Sequence, residues 1–517
     1  MMNGHGKSDS RVVPTKPPNN GTAPPSQAGP QPTEVVEGRR LAKGNPHQQT
    51  MLRTQRRVGM PHELERIRQA ATRDRKMRFT TLFHHVYRPS TLRSAYLGLN
   101  PKSAPGVDGV TWQQYGEGLD LNLQDLSERL KRGAYRGKPT RRTYIPKADG
   151  GQRPLGVTAL EDKIVQAALV SVLNAIYEVD FLGFSYGCRP GRSPHDALDA
   201  LTVGLVRSKV NWVLSIDIRR FFDAMEHGWL VRFIEHRIAD RRIVRLIRKW
   251  LTAGVLLEDG ERIQSEVGSP QGASFSPLAA NIYLHYVFDL WAHQWRQRYG
   301  QGDIRIVRYL DDMVVGFEKR HDAEQFLKVL SQRFADFGLE LHPTKTSLIE
   351  FGRFARERRQ ERGLGKPKTF NFLGFTHLCG RSRKGAFRIE RRTMAQRFRA
   401  KLAEIKAELR RRRHEPVPNQ GAWLRSVLLG HYRYYGVPLN IQALQRFQME
   451  TRRLWQRSLS RRSQKGGVIW KRMNRLASKW LPAVRIYHPY PQERFGVMTQ
   501  GRSPVPLKKN LAWVKSS

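Results

Sequence analysis

Cysteine is nearly absent: Cys188 and Cys379 are the whole complement of a 517-residue chain. Two thiols cannot build a disulfide framework or a cysteine-rich zinc site, and a reducing compartment is the simpler expectation. Long apolar runs are missing as well. No stretch approaches the 18 or more apolar residues of a membrane span, and the opening MMNGHGKSDS has no apolar core behind its charge, so the sequence reads as that of a soluble, cytoplasmic protein. Acidic residues are scarce, 45 against 91 Lys plus Arg, which leaves a net charge of +46. Such a field suits a polyanionic partner, because each phosphate neutralised by a cation releases a counterion. Nucleic acid is the first expectation, an anionic membrane surface the second, and a merely soluble basic surface the third.

At about 150 residues per domain, the length suggests roughly three domains. Residues 1–60, centred on PTKPPNNGTAPPSQAGPQP, hold too little apolar surface to offset their ordering entropy and are expected to form a disordered basic arm. Residues 61–79 read as a basic helix opened by Pro61. Ile164, Ala168, Val172 and Ile176 share one face of a second helix over 161–177. The runs NWVLSIDI (211–218) and IRIVRYLDDMVVGF (304–317) are β-prone, so the middle of the chain is mixed α and β. Beyond residue 376 helices return, with Phe398, Leu402, Ile405 and Leu409 spaced as a packing stripe. The basic residues there lead into Trp423, His431, Tyr432, Tyr434 and Tyr435, a pattern that suits base stacking and core packing equally.

In so cationic a chain the informative residues are carboxylates at strand ends. Asp311 and Asp312 interrupt the run 304–317, which reads as two short strands meeting at the acidic pair; a plain surface turn is the alternative. Asp217 closes the apolar stretch Trp212 to Ile216 and precedes Phe221, Phe222 and Asp223. Three carboxylates are the oxygen ligands that Mg²⁺ prefers, and two such ions can clamp both oxygens of a phosphoryl transfer. The stretch RRTYIPKADGGQRPLG (141–156) sets Lys147 and Arg153 on either side of a turn, where both could reach a triphosphate. The small-residue loop GSPQGASFSPLAANIYL (268–284) runs into a helix, and its Gln271 and Gly272 could let backbone approach a templating base pair.

Taken in order, APGVDGVTW, YIPKADGGQRPLG, EDKIVQ, GFSYGCRPGRS, DIRRFFDAMEH, PQGASFSPLAANIYL, RYLDDMVVGF, LELHPTKT and NFLGF resemble the bacterial group II intron-encoded reverse transcriptases, or maturases, from about residue 62 to near residue 500. WLRSVLLGHYRYYGVP, from Trp423, is similar to their thumb-like maturase region. The resemblance implies an α+β right-hand polymerase. It has a basic arm (1–60), an N-terminal extension and fingers (61–205), a palm (206–375), a helical thumb or maturase region (376–470) and a basic, DNA-contacting C-terminal extension (471–517). It further implies Asp217, Asp311 and Asp312 as ligands of two Mg²⁺ ions, with Mn²⁺ able to substitute. Lys147 and Arg153 would hold the incoming deoxynucleoside triphosphate, and Phe222 would exclude a ribose 2′-hydroxyl. Lys345 would be a proton donor to the departing pyrophosphate or, equally, a structural contact to a phosphate or carboxylate, and Phe372, Leu373, Gly374 and Phe375 a primer grip. The implied partners are an RNA template with a DNA primer, deoxynucleotides and intron RNA; no membrane is among them, monomer and dimer both stay open, and bacterial nucleoid association is expected.

The chain departs from the family pattern at several places. Leu310 stands where Ala is usual before the paired aspartates, Ala273 replaces the Gly after PQG and is followed by Ser274 and Phe275, Arg220 replaces a Gly, and Cys188 replaces a Phe. No Cys follows Cys379, so residues 470–517 cannot be the Cys-containing nuclease domain that some relatives carry. Two biological roles fit: intron splicing and retrohoming, or a free-standing enzyme used by the host to repair DNA breaks through annealing and extension of short homologies. Leu310 and the altered loop are what bring in the second.

Overall fold

The computed structural model describes residues 62–146, 152–257, 259–263, 267–268, 272–462 and 467–494. The basic arm, Lys147, Gln271 and the chain after residue 494 lie outside these, and of Arg153 only the backbone is described.

Eleven strands among the described residues form three sheets: β1 (Thr140–Pro146), β2 (Gln152–Val157), β3 (Trp212–Ile216), β4 (Val255–Leu256), β5 (Arg262–Ile263), β6 (Ile304–Tyr309), β7 (Asp312–Phe317), β8 (Ser347–Glu350), β9 (Phe370–Phe372), β10 (Phe375–Arg381) and β11 (Phe387–Thr393). A four-stranded sheet runs β2-β1-β4-β5, the central sheet β6-β7-β3-β8, and a small sheet β11-β10-β9. The architecture is thus mixed α+β, sheets with flanking helices, as the alternation of sequence periods indicates.

The helix Leu160–Asp180 is the spine of the N-terminal half. Ile164, Ala168, Val172 and Ile176 are all fully buried on it, as the spacing requires, and so are Val165, Leu169 and Leu173. Both faces are covered, because the helices His62–Arg73, Phe83–Tyr87 and Pro89–Gly98 lie against it. The first of those stops at Arg73, short of the 61–79 expected. The cause is tertiary: the buried Arg237 guanidinium donates to the carbonyls of Asp74 (3.4 Å) and Met77 (2.7 Å), and Phe79 pairs as a β-bridge with Ile238.

β6 and β7 form the hairpin that the run 304–317 predicts, and β3 pairs antiparallel with β7 from Trp212↔Phe317 to Ile216↔Met313. Met313 to Phe317 is buried without alternation because β7 lies between β6 and β3 with helices on both faces. The helix Pro194–Arg207 approaches so closely that a Cβ on Gly316 would lie 2.6 Å from Leu205 Cδ2.

Beyond β11, the helices Ala395–Arg411, Val417–Tyr435, Ile441–Ser460 and Trp470–Trp480 enclose a separate core around Leu428, Leu444, Phe447 and Trp455. Ile405 and Leu409 of the predicted stripe are buried in it, and Phe398 and Leu402 flank it. The chain then returns to the central layer. Tyr487 and His488 donate their amides to the Gly436 carbonyl (2.8 and 3.1 Å), and Arg494 is buried against Asp196 and Asp199 of the helix Pro194–Arg207. Trp455 is fully buried and donates Nε1 to Gln420 Oε1 at 2.9 Å. Trp455→Ala therefore leaves both a cavity and an orphaned amide, and should lower stability by about 3–5 kcal/mol, read as an earlier urea transition.

Candidate active site

Strand register brings the three acids together. Ile216 pairs with Met313, so Asp217 leaves β3 beside Asp312, the first residue of β7. Tyr309 pairs with Asp312, which makes Leu310 and Asp311 a two-residue turn. All three carboxylates line one cleft of about 2500 Å³. The Asp217 backbone is pinned from the other side: its carbonyl accepts from His342 N (2.8 Å) and Thr346 Oγ1 (3.2 Å). Lys345, in the same loop, places Nζ 3.9 Å from Asp217 Oδ2 and is otherwise exposed.

Water reaches Asp312 from the cleft, yet protein crowds it closely enough to penalise its charge. Burial first, then the Asp311 and Asp217 carboxylates, push its pKa up to about 7, against the opposing pull of Arg397 and Lys345. Among the described residues no three His, Cys, Asp or Glu side chains are already gathered tightly enough to hold a metal. What converges is negative charge on oxygen donors, the chemistry that a hard divalent cation relieves. This has a measurable consequence. Without metal the folded state binds the Asp312 proton more tightly than the unfolded chain does, so stability contributed by this group is present below its ordinary 3.8 and lost as pH rises to about 7. In EDTA, melting temperature should fall across that window relative to Asp312→Asn, and Mg²⁺ should remove the difference at pH 7.

Of the other sequence-predicted residues, Phe222 and the segment Phe372–Gly374 lie along the cleft. Phe222 is half-buried on the cleft wall and packs edge-on against the buried Phe221 (centroids 5.3 Å apart). Phe372 and Phe375 are core residues, and what they present to the cleft is the turn Leu373–Gly374, with φ of 47° and 79°. Tyr434 anchors that turn by donating its hydroxyl to the Leu373 carbonyl at 2.8 Å, and stacks on Phe375. The aromatic cluster thus serves packing first: Tyr432 is fully buried and His431 stacks on Phe447 at 3.7 Å, while His431, Tyr434 and Tyr435 also face the cleft. Arg397, on the helix Ala395–Arg411, also lines the cleft; in the sequence it is one of many basic residues on that helix.

Three of the four departures from the family pattern share a backbone property. Cys188 (φ 55°), Arg220 (φ 47°) and Leu310 (φ 56°) are all left-handed, a conformation costly for side chains with a Cβ. Arg220 is exposed, so its strain is not offset by side-chain packing. Arg220→Gly should raise stability by about 0.5–1 kcal/mol, the relief of strain exceeding the added freedom of the unfolded chain, and chemical denaturation measures it.

The fourth departure, Ala273, is buried in the loop 272–275 that leads into the helix Ser276–Leu284. Gly272 (φ 111°) sits against β2, where a Cβ would lie 2.7 Å from the Gly156 carbonyl oxygen, and Phe275 N donates to Gln166 Oε1 at 3.3 Å. The loop is therefore seated on the β1–β2 hairpin, where Ile145 pairs with Arg153.

Comparison with known proteins gives a match over the middle of the chain. Residues 145–377 match the family model of the reverse transcriptases (RNA-dependent DNA polymerases), a span that contains the three aspartates, Lys345 and the Leu373–Gly374 turn. The chain is 38% identical to Protein YkfC of Escherichia coli over 245 residues, 46% of this chain and 63% of that one. It is 34% identical to the group II intron-encoded protein LtrA of Lactococcus lactis over 223 residues (43% and 37%). It is 41% identical over 170 residues (33% and 21%) to an uncharacterised 91 kDa protein in the cob intron of Schizosaccharomyces pombe. The chain spans less than two thirds of the length of each of these relatives. Residues 145–377 thus carry the reverse transcriptase match, and the chain is similar there to proteins of the group II intron type.

Proposed function

We propose that the protein is an RNA-directed DNA polymerase that also copies DNA templates. The observation that carries this reading is the delivery of Asp217, Asp311 and Asp312 to one end of the β3–β7 pair, inside a cleft that Arg397 and Tyr434 also line. In right-hand terms, the β1–β2 hairpin belongs to the fingers, the central sheet with the loop 272–275 to the palm, and the helices from Ala395 onward to the thumb. The exposed Lys471, Arg472, Arg475 and Lys479 extend its cationic surface toward DNA.

The three aspartates would hold Mg²⁺, which when bound supplies Lewis acidity to an attacking 3′-hydroxyl and counter-charge to the departing pyrophosphate. The chain itself supplies alignment. The Leu373–Gly374 turn braces the primer end, Lys147 and Arg153 grip the triphosphate from the hairpin, and Phe222 crowds the 2′ side of the sugar. Gln271, beside Gly272, borders the templating pair. Lys345 holds a proton at Nζ on the side of Asp217, where the leaving group departs.

Since two relatives are described as intron-encoded or intron-located, intron RNA is the proposed further partner, and splicing and retrohoming the proposed setting. Primer extension on RNA and DNA templates tests the activity. Asp311→Ala with Asp312→Ala should reduce extension to background, and surviving synthesis would overturn the reading. Phe222→Ala should admit ribonucleotides while keeping deoxynucleotide addition; unchanged sugar selectivity would remove Phe222 from its role.

A further inference from the structure

Behind the catalytic turn lies a buried polar hub. Arg308, in β6, is completely buried, two residues before Leu310. Its guanidinium grips Asp289 with two bonds (Nε to Oδ1 2.7 Å, Nη2 to Oδ2 2.6 Å) and donates to Asn281 Oδ1 (3.0 Å), Ser185 Oγ (2.7 Å) and the Leu310 carbonyl (3.2 Å). Asp289 is equally buried, and it ends a single π-helical turn, His285–Asp289, between the helices Ser276–Leu284 and Leu290–Arg298. One extra residue in a helix rotates the succeeding turn by about 100°, so this irregularity sets the direction in which Asp289 leaves the axis.

A pair of charges removed from water is a poor source of stability; apolar residues of similar volume often do as well or better. The connections of this pair point to geometry instead. Leu310 holds a left-handed backbone that a branched residue resists. Two contacts oppose its relaxation: the Arg308 bond to its carbonyl, and Gly187, where a Cβ would lie 2.4 Å from Leu310 N. Gly187 is in turn held by Asn281, whose Nδ2 donates to the Gly187 carbonyl at 2.8 Å. Arg308, Asn281, Gly187 and Leu310 therefore close a ring. It ties the turn carrying Asp311 to the helix entered from the loop 272–275.

We propose that Arg308 is a positioning residue for nucleotide addition: through Asn281 and the Leu310 carbonyl it fixes the Leu310–Asp311 turn, and with it the presentation of Asp311 to metal. The proposal rests on the polymerase reading above. Arg308→Lys keeps a cation for Asp289 but loses the fork that reaches four partners at once. In primer extension it should lower kcat by about 10–100-fold and raise the Mg²⁺ concentration for half-maximal rate. The Kd for primer–template, measured by fluorescence anisotropy, should stay within about twofold, because the cleft walls are untouched. Asn281→Ser leaves the Arg308–Asp289 pair intact and cuts the link to Gly187, so it should shift the Mg²⁺ requirement in the same direction by a smaller factor. It decides the matter if Arg308→Lys does not fold. An unchanged Mg²⁺ requirement in folded variants, or a loss of kcat only in proportion to lost primer–template binding, would overturn the positioning role. Absence of synthesis by the unsubstituted protein would instead overturn the polymerase reading.

Discussion

The pairing of β3 with β7 is the constraint on which the cleft depends. A single-residue slip would exchange the faces of β7 and carry Asp312 away from Asp217, but burial on both faces of the strand and the closeness of Gly316 to Leu205 leave no room for one. The register therefore concentrates three carboxylates at one sheet end in a chain with twice as many basic as acidic residues. That concentration is electrostatically unfavourable in the protein alone, as the upward displacement of the Asp312 pKa indicates. A fold that sets like charges together at its best-determined register is arranged for a counter-charge that it does not itself provide.

Cations nearby are placed to moderate this field without neutralising it. Lys345 reaches Asp217 only at 3.9 Å and keeps most of its surface in water, and Arg397 acts on Asp312 through its charge from a separate helix. Neither makes the close bidentate bond that Arg308 makes with Asp289 behind the turn. The molecule thus separates two uses of arginine. Behind the turn Arg308 is locked in a buried network; in the cleft Arg397 meets Asp312 through its charge, so that ligands can compete for the acids.

Much of this was legible in the sequence because it depends on local pattern. The apolar run into Asp217, the interruption of 304–317 by Asp311 and Asp312, and the face formed by Ile164, Ala168, Val172 and Ile176 all carried over to the structure. The features that were not legible depend on partners distant in the chain. The helix from His62 stops at Arg73 because Arg237 and Ile238 claim the residues after it. Within Phe372–Phe375 the two rings are buried while the Leu373–Gly374 turn lies on the cleft, a division that no local pattern signals. Arg308 did leave a signal, a charge within an apolar strand, but its meaning rests on Asp289, Asn281 and Ser185, brought together only by the fold.

The left-handed residues bear on how such a site can be held. Arg220, Leu310 and Leu373 line or border the cleft in a conformation that costs about 1–3 kcal/mol each, and Cys188 adds a fourth in the segment that also holds Gly187. Strain of that size persists only where the surroundings over-determine it. At Leu373 the Tyr434 hydroxyl and the pairing of Phe372 with Phe375 do so; at Leu310 the Arg308 ring does. Arg220 has its carbonyl bound by Asp223 N at 2.9 Å, at the start of the short helix that carries Phe222. Leu310 precedes Asp311, Leu373 lies in the proposed primer turn, and Arg220 stands two residues before Phe222, so three of the four lie within two residues of a group proposed to touch substrate. Rigid scaffolding behind each strained turn is what lets small loops hold these groups in place, and it ties the precision of the cleft to side chains that never enter it.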